Sequence, residues 1–348
     1  MTSENGGSLL ERLATGTVIC AEGYLFEFER RGYLQAGAYV PEVVLEHPEL
    51  VAGLHREFVH AGSDVVEAFT YYGHREKLRL IGKEHLLEPL NRDALQIAAG
   101  VARETGTLAA GDICNTNIFH PDEESRRAVR AIFDEQLAWI VEAGMDFVVG
   151  ETFSYAEEAG IALEAIRAAG LPAVITLAVH RAPETRDGLA PAEACARLAD
   201  AGADVVGLNC IRGPWTMLPL IREIRERTDG HVAALPVPYR TTPQEPSFQS
   251  LTDPGCDCIP GERPFPTALD PFTCNRYEIA EFAREAYAID VRYLGVCCGA
   301  GPHHIRSMAE ALGRTPPASA YSPDMSRHAY FGTEQTLKDH NRAFAAEL

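Results

Sequence analysis

No uninterrupted apolar run in these 348 residues approaches the roughly 20 positions a membrane-spanning helix needs, so no bilayer span is expected. The opening residues, Met1-Thr-Ser-Glu-Asn-Gly-Gly7, are polar and acidic and lack both the basic and the apolar segments of a secretory signal, so a cytoplasmic location is expected. Positive charge is also scarce. Lys and Arg total 31 against 50 Asp and Glu, a net charge of -19, and no basic cluster interrupts the acidity. That balance repels phosphate backbones and anionic lipid, which argues against nucleic acid or membrane as partners and leaves small molecules. With 46% hydrophobic, 8% aromatic and 23% charged residues, the composition is that of a folded protein with a substantial core.

The chain repeats one unit. Ala61-Gly-Ser-Asp-Val-Val, Ala143-Gly-Met-Asp-Phe-Val-Val and Ala201-Gly-Ala-Asp-Val-Val each close a helical pattern with glycine, turn on aspartate and enter a β-branched run. Such alternation signals βαβ units, and strands that are apolar on both faces signal a parallel sheet covered by helices. The first of these runs extends over Asp64–Tyr72, and further strands expected at Thr17–Ala21, Thr107–Cys114, Pro172–Val179, His231–Val237 and Val291–Cys298 bring the count to eight. Helical spacing is present over Pro41–Ala61 and at about 90–105, 122–143, 155–168, 191–201, 214–227, 276–289 and 303–312, while residues 1–13 read as a frayed lead-in. Eight strand-helix repeats predict an α/β protein with a single (β/α)8 TIM barrel over residues 1–313. A long proline-rich loop, 239–272, follows strand seven over the presumed catalytic face. Residues 314–348 form a C-terminal extension that either embraces a neighbouring subunit, as in a homo-oligomer, or packs on its own barrel.

Strand six ends Gly207-Leu-Asn-Cys210 and strand eight ends in the vicinal pair Cys297-Cys298, followed by Gly299-Ala-Gly-Pro302 and a helix start. In a barrel of parallel strands these three thiols emerge at the same rim. Three cysteine ligands with one open position describe a catalytic Zn2+ site, since a structural site takes a fourth protein ligand. Cys256 and Cys258 are competing metal candidates on the long loop, and Cys256 or His303 would be needed to complete a purely structural site. In a reducing compartment all nine cysteines are expected to stay reduced. Cys20, Cys114 and Cys195 read as core, and His303 and His304 as capping or packing residues. Three thiolates make zinc a weak Lewis acid for hydrolysis but suit it to hold a fourth sulfur as a nucleophile, which implies alkyl transfer to a thiol.

The motifs Gly207-Leu-Asn-Cys210 and Gly295-Val-Cys-Cys-Gly-Ala-Gly-Pro-His-His-Ile-Arg306 resemble the two zinc signatures of the homocysteine S-methyltransferase family. The similarity extends through Phe26-Glu-Phe-Glu-Arg-Arg-Gly-Tyr33, Glu46-His-Pro-Glu-Leu-Val51, Leu54-His-Arg-Glu-Phe58, Phe69-Thr-Tyr-Tyr72 and Phe282-Ala-Arg-Glu-Ala-Tyr-Ala288, from about residue 16 to 313, nearest its betaine-homocysteine branch. The resemblance implies a zinc-dependent barrel that makes methionine, with Cys210, Cys297 and Cys298 holding the metal and Glu151 receiving the amino group of homocysteine. Asn209 either orients a ligand cysteine or substrate, or merely turns the chain. The methyl donor implied is a small onium compound, and aromatic faces bind such cations. Tyr72 is the first choice for that contact, with Tyr71, Tyr24 and Tyr39 beside it. Where the betaine branch has Asp-Gly-Gly, this chain has Ala21-Glu22-Gly23, so Glu22 is the substitute carboxylate; Tyr39 and Thr152 stand in place of tryptophan and tyrosine, and Val296 in place of glycine. A different class of function, a donor-binding or demethylating subunit that hands the methyl group to another thiol or a corrinoid partner protein, fits the same residues.

Overall fold

A computed structural model describes residues 7–333 and 339–348. Its strands are β1 (Val18–Ala21), β2 (Val65–Glu67), β3 (Leu108–Cys114), β4 (Phe147–Phe153), β5 (Ala173–Leu177), β6 (Val205–Asn209), β7 (His231–Leu235) and β8 (Tyr293–Val296). They pair in sequence order, all parallel, and β8 returns to β1 to close the expected TIM barrel. The first helices are α1 (Leu9–Thr15), α2 (Tyr24–Arg30), α3 (Val43–Glu46), α4 (Pro48–Ala61), α5 (Arg75–Leu80), α6 (Leu87–Thr105) and α7 (Glu123–Ala143). After them come α8 (Ala156–Ala168), α9 (Pro191–Asp200), α10 (Pro214–Arg227), α11 (Arg276–Ala288), α12 (Pro302–Ala311) and α13 (Asp339–Ala345). No helix among the described residues is long and apolar enough to cross a membrane.

The repeated Ala-Gly-x-Asp unit has a physical task at each copy. Gly62, Gly144 and Gly202 take left-handed backbone angles that end the helix. The aspartate that follows then reaches sideways. Asp64 accepts from the Ile19 amide, Asp146 from Ala109 and Asp204 from Ala173, each at 2.8 Å, so each carboxylate ties the start of one strand to its neighbour.

Side chains alternate along each strand, and every second one points to the barrel axis. The lower axial layers are apolar: Val18, Cys20, Val65, Leu108, Phe147, Val149, Val205, Leu235 and Tyr293 pack together, plugged from below by Leu9 and Leu13 of α1. The same two-residue step carried upward gives Glu22, Glu67, Asp112, Glu151, Asn209 and Cys297. The barrel is thus dry at its base and polar at its carboxyl-terminal end, where the chemistry of this fold is placed.

Several expectations need correction. Of the lead-in, residues 1–6 lie outside the described residues, and within the rest Ser8 and Glu11 form a reciprocal capping box that starts α1, a signal present in the sequence as Ser8-Leu-Leu-Glu11. The helix expected over Pro41–Ala61 is broken at His47, because the residue before Pro48 is disfavoured in helical geometry. Tyr24–Arg30 is helical, and β2 ends at Glu67, after which the chain turns through Thr70 to Gly73. Cys256 and Cys258 are joined in a disulfide, so seven cysteines are free and this pair is removed from the metal candidates. The turn closed by the Cys256 amide on Asp253 brings their Cα atoms to 5.3 Å, within bridging range. The extension begins by packing on its own barrel. Arg314 pairs with Asp64 at 2.5 Å and Arg306 donates to the carbonyls of Ala318 and Tyr321.

His55 of α4 is a cost the fold carries. It is buried edge-on against Tyr24 at 4.8 Å with neither ring nitrogen hydrogen-bonded among the described residues, and burial pushes its pKa down to about 3. The folded chain therefore refuses a proton that the unfolded chain accepts below about pH 6.5, and stability falls as the pH drops below that value. His55→Leu is expected to narrow the loss of unfolding free energy between pH 7.5 and pH 5.5 by about 1.4 kcal/mol. Denaturant titrations at the two pH values check this; an unchanged gap would show that His55 titrates normally.

Candidate active site

Cys210 follows β6, and Cys297-Cys298 follow β8. Their three sulfurs lie within 4.8 Å of one another. Tetrahedral ligands at a zinc-sulfur distance of about 2.3 Å stand ~3.8 Å apart, so the sulfurs are already gathered to the scale of such a site. Neither Cys256, tied in its disulfide, nor His303 joins the group among the described residues. His304 caps α12 by accepting from the Gly301 amide, as expected, and its other ring nitrogen meets the Cys274 carbonyl. Cys210 is held well below the ordinary thiol pKa by hydrogen bonds from the Cys297 and Cys298 thiols, while burial and then the bond to Cys210 push Cys297 up and the bond to Cys210 pushes Cys298 up. The arrangement already favours one thiolate. Gly299, at φ +94°, makes the turn possible: a Cβ there would lie 2.2 Å from the Tyr239 hydroxyl.

Below the sulfurs is a narrow chamber of about 20 Å³ whose wall includes Glu22, Glu67, Asp112 and Glu151. All four carboxylates are buried, and one oxygen each of Glu22, Glu67 and Asp112 meets no donor among the described residues. Burial raises each pKa, and the neighbouring acids raise those of Glu22, Glu67 and Asp112 further. Glu151 reaches about 7, the hydrogen bond from Thr152 opposing burial and the Cys210 charge adding to it. Asn209 is the hub. Its amide oxygen accepts from the Thr152 amide at 2.9 Å, and its nitrogen donates to Glu151, to the Thr152 hydroxyl at 3.0 Å and to Glu22 at 3.3 Å, and stands 4.0 Å from the Cys297 sulfur.

Above the sulfurs opens a wider cavity of about 350 Å³, walled by aromatic rings. The two compartments share Leu25, Tyr71, Thr152, Cys210 and Cys298 and therefore meet at the sulfur cluster. Tyr39, Tyr71 and Tyr72 line the upper cavity as expected, and Tyr71 and Tyr72 lie ring to ring at 4.4 Å. One face of Tyr72 is already covered by the Lys77 ammonium, 4.2 Å from its centroid. Tyr24 and Glu22 belong to the lower chamber instead. Gly23 lines neither compartment; a Cβ there would collide with the Ala300 carbonyl at 2.4 Å, so its role is to let the β1 and β8 ends approach.

Sequence reading missed Glu67 and Asp112, which the two-residue step along β2 and β3 would have placed on the axis. It also missed Phe248 and Phe265, which the long loop brings over the upper cavity, and Arg186 and His180 at its rim. Tyr39, Tyr72, Asn117, Thr152, Cys210 and Ile211 all line this cavity with positive φ, at 55° to 63°. Six non-glycine residues in a sparsely populated conformation around one cavity is where strain at a functional site is expected.

A sequence model of the homocysteine S-methyltransferase family matches residues 16–312. The chain belongs to that family. A betaine-homocysteine S-methyltransferase of Xenopus tropicalis is 36% identical over 335 residues, 93% of this chain and 80% of that protein. An S-methylmethionine-homocysteine S-methyltransferase of Rattus norvegicus is 37% identical over 323 residues, 89% of this chain and 84% of its own length. Among solved structures, the metallated form of the Escherichia coli homocysteine methyltransferase MmuM superposes with a TM-score of 0.67 at 17% identity, covering 87% of this chain and 99% of that one, and shows the shared barrel. As a member of the homocysteine S-methyltransferase family, the protein is a methyltransferase enzyme.

The Asn209 hub yields a test of this geometry. Asn209→Ala would leave Glu22 and Glu151 facing each other without their shared donor, at an expected cost of about 3 kcal/mol in unfolding free energy, with Asn209→Asp costing more because it adds a carboxylate. Chemical denaturation measures it; an alanine variant as stable as the parent would rule out the hub.

Proposed function

We propose that this enzyme is zinc-dependent and transfers a methyl group from a small onium donor to the thiol of homocysteine, giving methionine. The observation that carries the reading is the placing of three gathered cysteine sulfurs between two compartments of opposite character, one acidic and one aromatic. Cys210, Cys297 and Cys298 would hold the zinc and leave one position for the acceptor sulfur. Bound there, zinc supplies a deprotonated acceptor thiol at neutral pH, where a free thiol with a pKa near 8.5 is mostly protonated.

The chain's own residues do the rest. Glu151, with Glu22 across the Asn209 amide, receives the ammonium of homocysteine, a cation in a chamber whose buried acids have no counter-charge of their own. Tyr39, Tyr71 and the open face of Tyr72 hold the onium from above, with Phe26 and Phe248 6.1 Å apart closing the far wall. As the acceptor sulfur forms its bond to the methyl carbon, the carbon-nitrogen or carbon-sulfur bond of the donor breaks. Its electron pair stays with the leaving atom, which departs neutral and loses its attraction to the rings, and the thiol proton goes to solvent.

Purified protein is expected to contain about one zinc per chain and Cys210→Ala to lose it, measured by atomic emission; full retention of metal in the variant would sink the three-cysteine site. Methionine formation is expected with at least one of glycine betaine, dimethylsulfoniopropionate and S-methylmethionine, and a zinc-loaded protein inactive with all three would overturn the reading.

The Glu151 pKa of about 7 gives the pH dependence its sign: below pH 7 the group becomes neutral and cannot pair with an ammonium. Glu151→Gln should raise the KM for homocysteine roughly 10- to 100-fold at pH 8 and much less at pH 6. Equal effects at both pH values would remove Glu151 from that role.

A further inference from the structure

Cys256 and Cys258 have no task in methyl transfer, yet they are the one oxidised cysteine pair among the described residues. We infer that they form a reversible thiol-disulfide exchange site whose reaction partners are small carboxylate-bearing thiols and the disulfides of those thiols. Access favours this pair. Six of the seven free cysteines are buried and the seventh, Cys298, is half-buried in the sulfur cluster, whereas Cys258 is exposed, Cys256 is half-buried and Asp257 between them is exposed. An attacking thiolate therefore reaches a sulfur here that it does not reach in the core.

A bridge that serves as a staple closes a long loop, because stabilisation grows with the length of chain enclosed. This one encloses a single residue, and the turn is held without it. The Asp253 carboxylate accepts from the Gly255 amide at 3.1 Å, the Asp253 carbonyl accepts from the Cys256 amide at 3.3 Å, and the Asp253 amide donates to the Glu262 carbonyl at 3.4 Å, which closes the base of the loop. Opening the bridge thus costs the fold little. The base lies between Thr252 and Arg263, which line an open cavity of about 550 Å³ that shares His180 and Gln249 with the upper cavity. Arg181 and Arg263 in its wall have no carboxylate partner among the described residues, and its one acid, Glu245, is engaged by the Thr252 hydroxyl at 2.5 Å. In a protein of net charge -19, two unneutralised guanidinium groups beside the loop suit the carboxylates of small thiols.

In the exchange a small thiolate attacks the exposed Cys258 sulfur, the bridge breaks, and Cys256 leaves as a thiolate that takes a proton. A second small thiol then displaces Cys258 from the mixed disulfide. Two small thiols become one small disulfide, two electrons pass to the protein, and the pair becomes a dithiol; the reverse reaction turns a small disulfide into two thiols. Homocysteine belongs to this class. Where the methyl-transfer reading holds, the reverse direction returns the disulfide of the acceptor, which has no thiolate to offer, to its reactive form.

Zinc-loaded full-length protein equilibrated with thiol and disulfide mixtures of glutathione, and separately of homocysteine, then acid-quenched, alkylated and digested for mass spectrometry, tests this. The Cys256–Cys258 disulfide is expected to fall from roughly nine-tenths of the protein in disulfide alone to roughly one-tenth in a hundredfold excess of thiol, with the buried cysteines unchanged. Cys258→Ser should carry one small thiol on Cys256 as a mixed disulfide. Replacing Arg181 and Arg263 together by Gln should slow reduction by glutathione about 3- to 10-fold and reduction by the carboxylate-free 2-mercaptoethanol by less than about twofold. The exchange site is overturned if the native pair stays a disulfide in every mixture, or stays a dithiol in every mixture. Equal slowing of both thiols by the arginine variant, or of neither, removes the carboxylate-bearing class of partner. If no donor methylates homocysteine, the methyl-transfer reading falls, and the peptide readout still decides the exchange site.

Discussion

Closure of the barrel between β8 and β1 is the constraint from which the site follows. The seam is short, from Val18 opposite Tyr293 to Ala21 opposite Val296, and it is extended by the Glu22 amide on the Val296 carbonyl and the Cys297 amide on the Pro236 carbonyl. Those bonds set the height at which β1, β7 and β8 end. They place Glu22 beside Cys297 and bring Cys297 and Cys298 to Cys210, whose own amide bonds the Leu235 carbonyl. A thiol cluster drawn from strands six and eight exists only because the intervening strand and the closing pair are in register.

The price of the arrangement is visible in the same region. Four carboxylates are buried together, six non-glycine residues hold positive φ, and three thiols crowd one point. Left alone, each is unfavourable, on the order of 1 kcal/mol or more. They persist because the lower barrel is tightly packed and because Asn209 spreads one amide over Glu22, Glu151 and Thr152. A site rich in uncompensated negative charge is prepared for cationic ligands, just as the aromatic cavity above it is.

The apparent redundancy of Glu22 and Glu151 also becomes intelligible. Alternation along β1 puts Glu22 on the axis, so a carboxylate one position later than the aspartate of the betaine branch still faces the chamber, while Ala21 faces outward into the packed layer. A shift of one residue in a strand would normally carry a side chain to the opposite face. Glu22 lies inside because it continues the phase of Val18 and Cys20, a phase that Ala21 does not share.

The helix and strand order, the barrel class and the three thiols were readable from the chain itself, because periodicity, the glycine-aspartate boundaries and the spaced cysteine motifs are local properties that packing does not rewrite. Glu151, Asn209, Tyr71 and Tyr72 were also named from the chain, Glu151 through the family resemblance, and the structure places them around the sulfurs. Only the folded chain separated the two compartments, sent Tyr24 to the lower one, joined Cys256 to Cys258, and gathered Glu67, Asp112, Phe248, Phe265 and Arg186 around the sulfurs. The reason is physical: those residues come from different strands and loops, and which of them face one another depends on strand register, barrel closure and loop path, quantities set by the sum of many long-range contacts and written in no single segment.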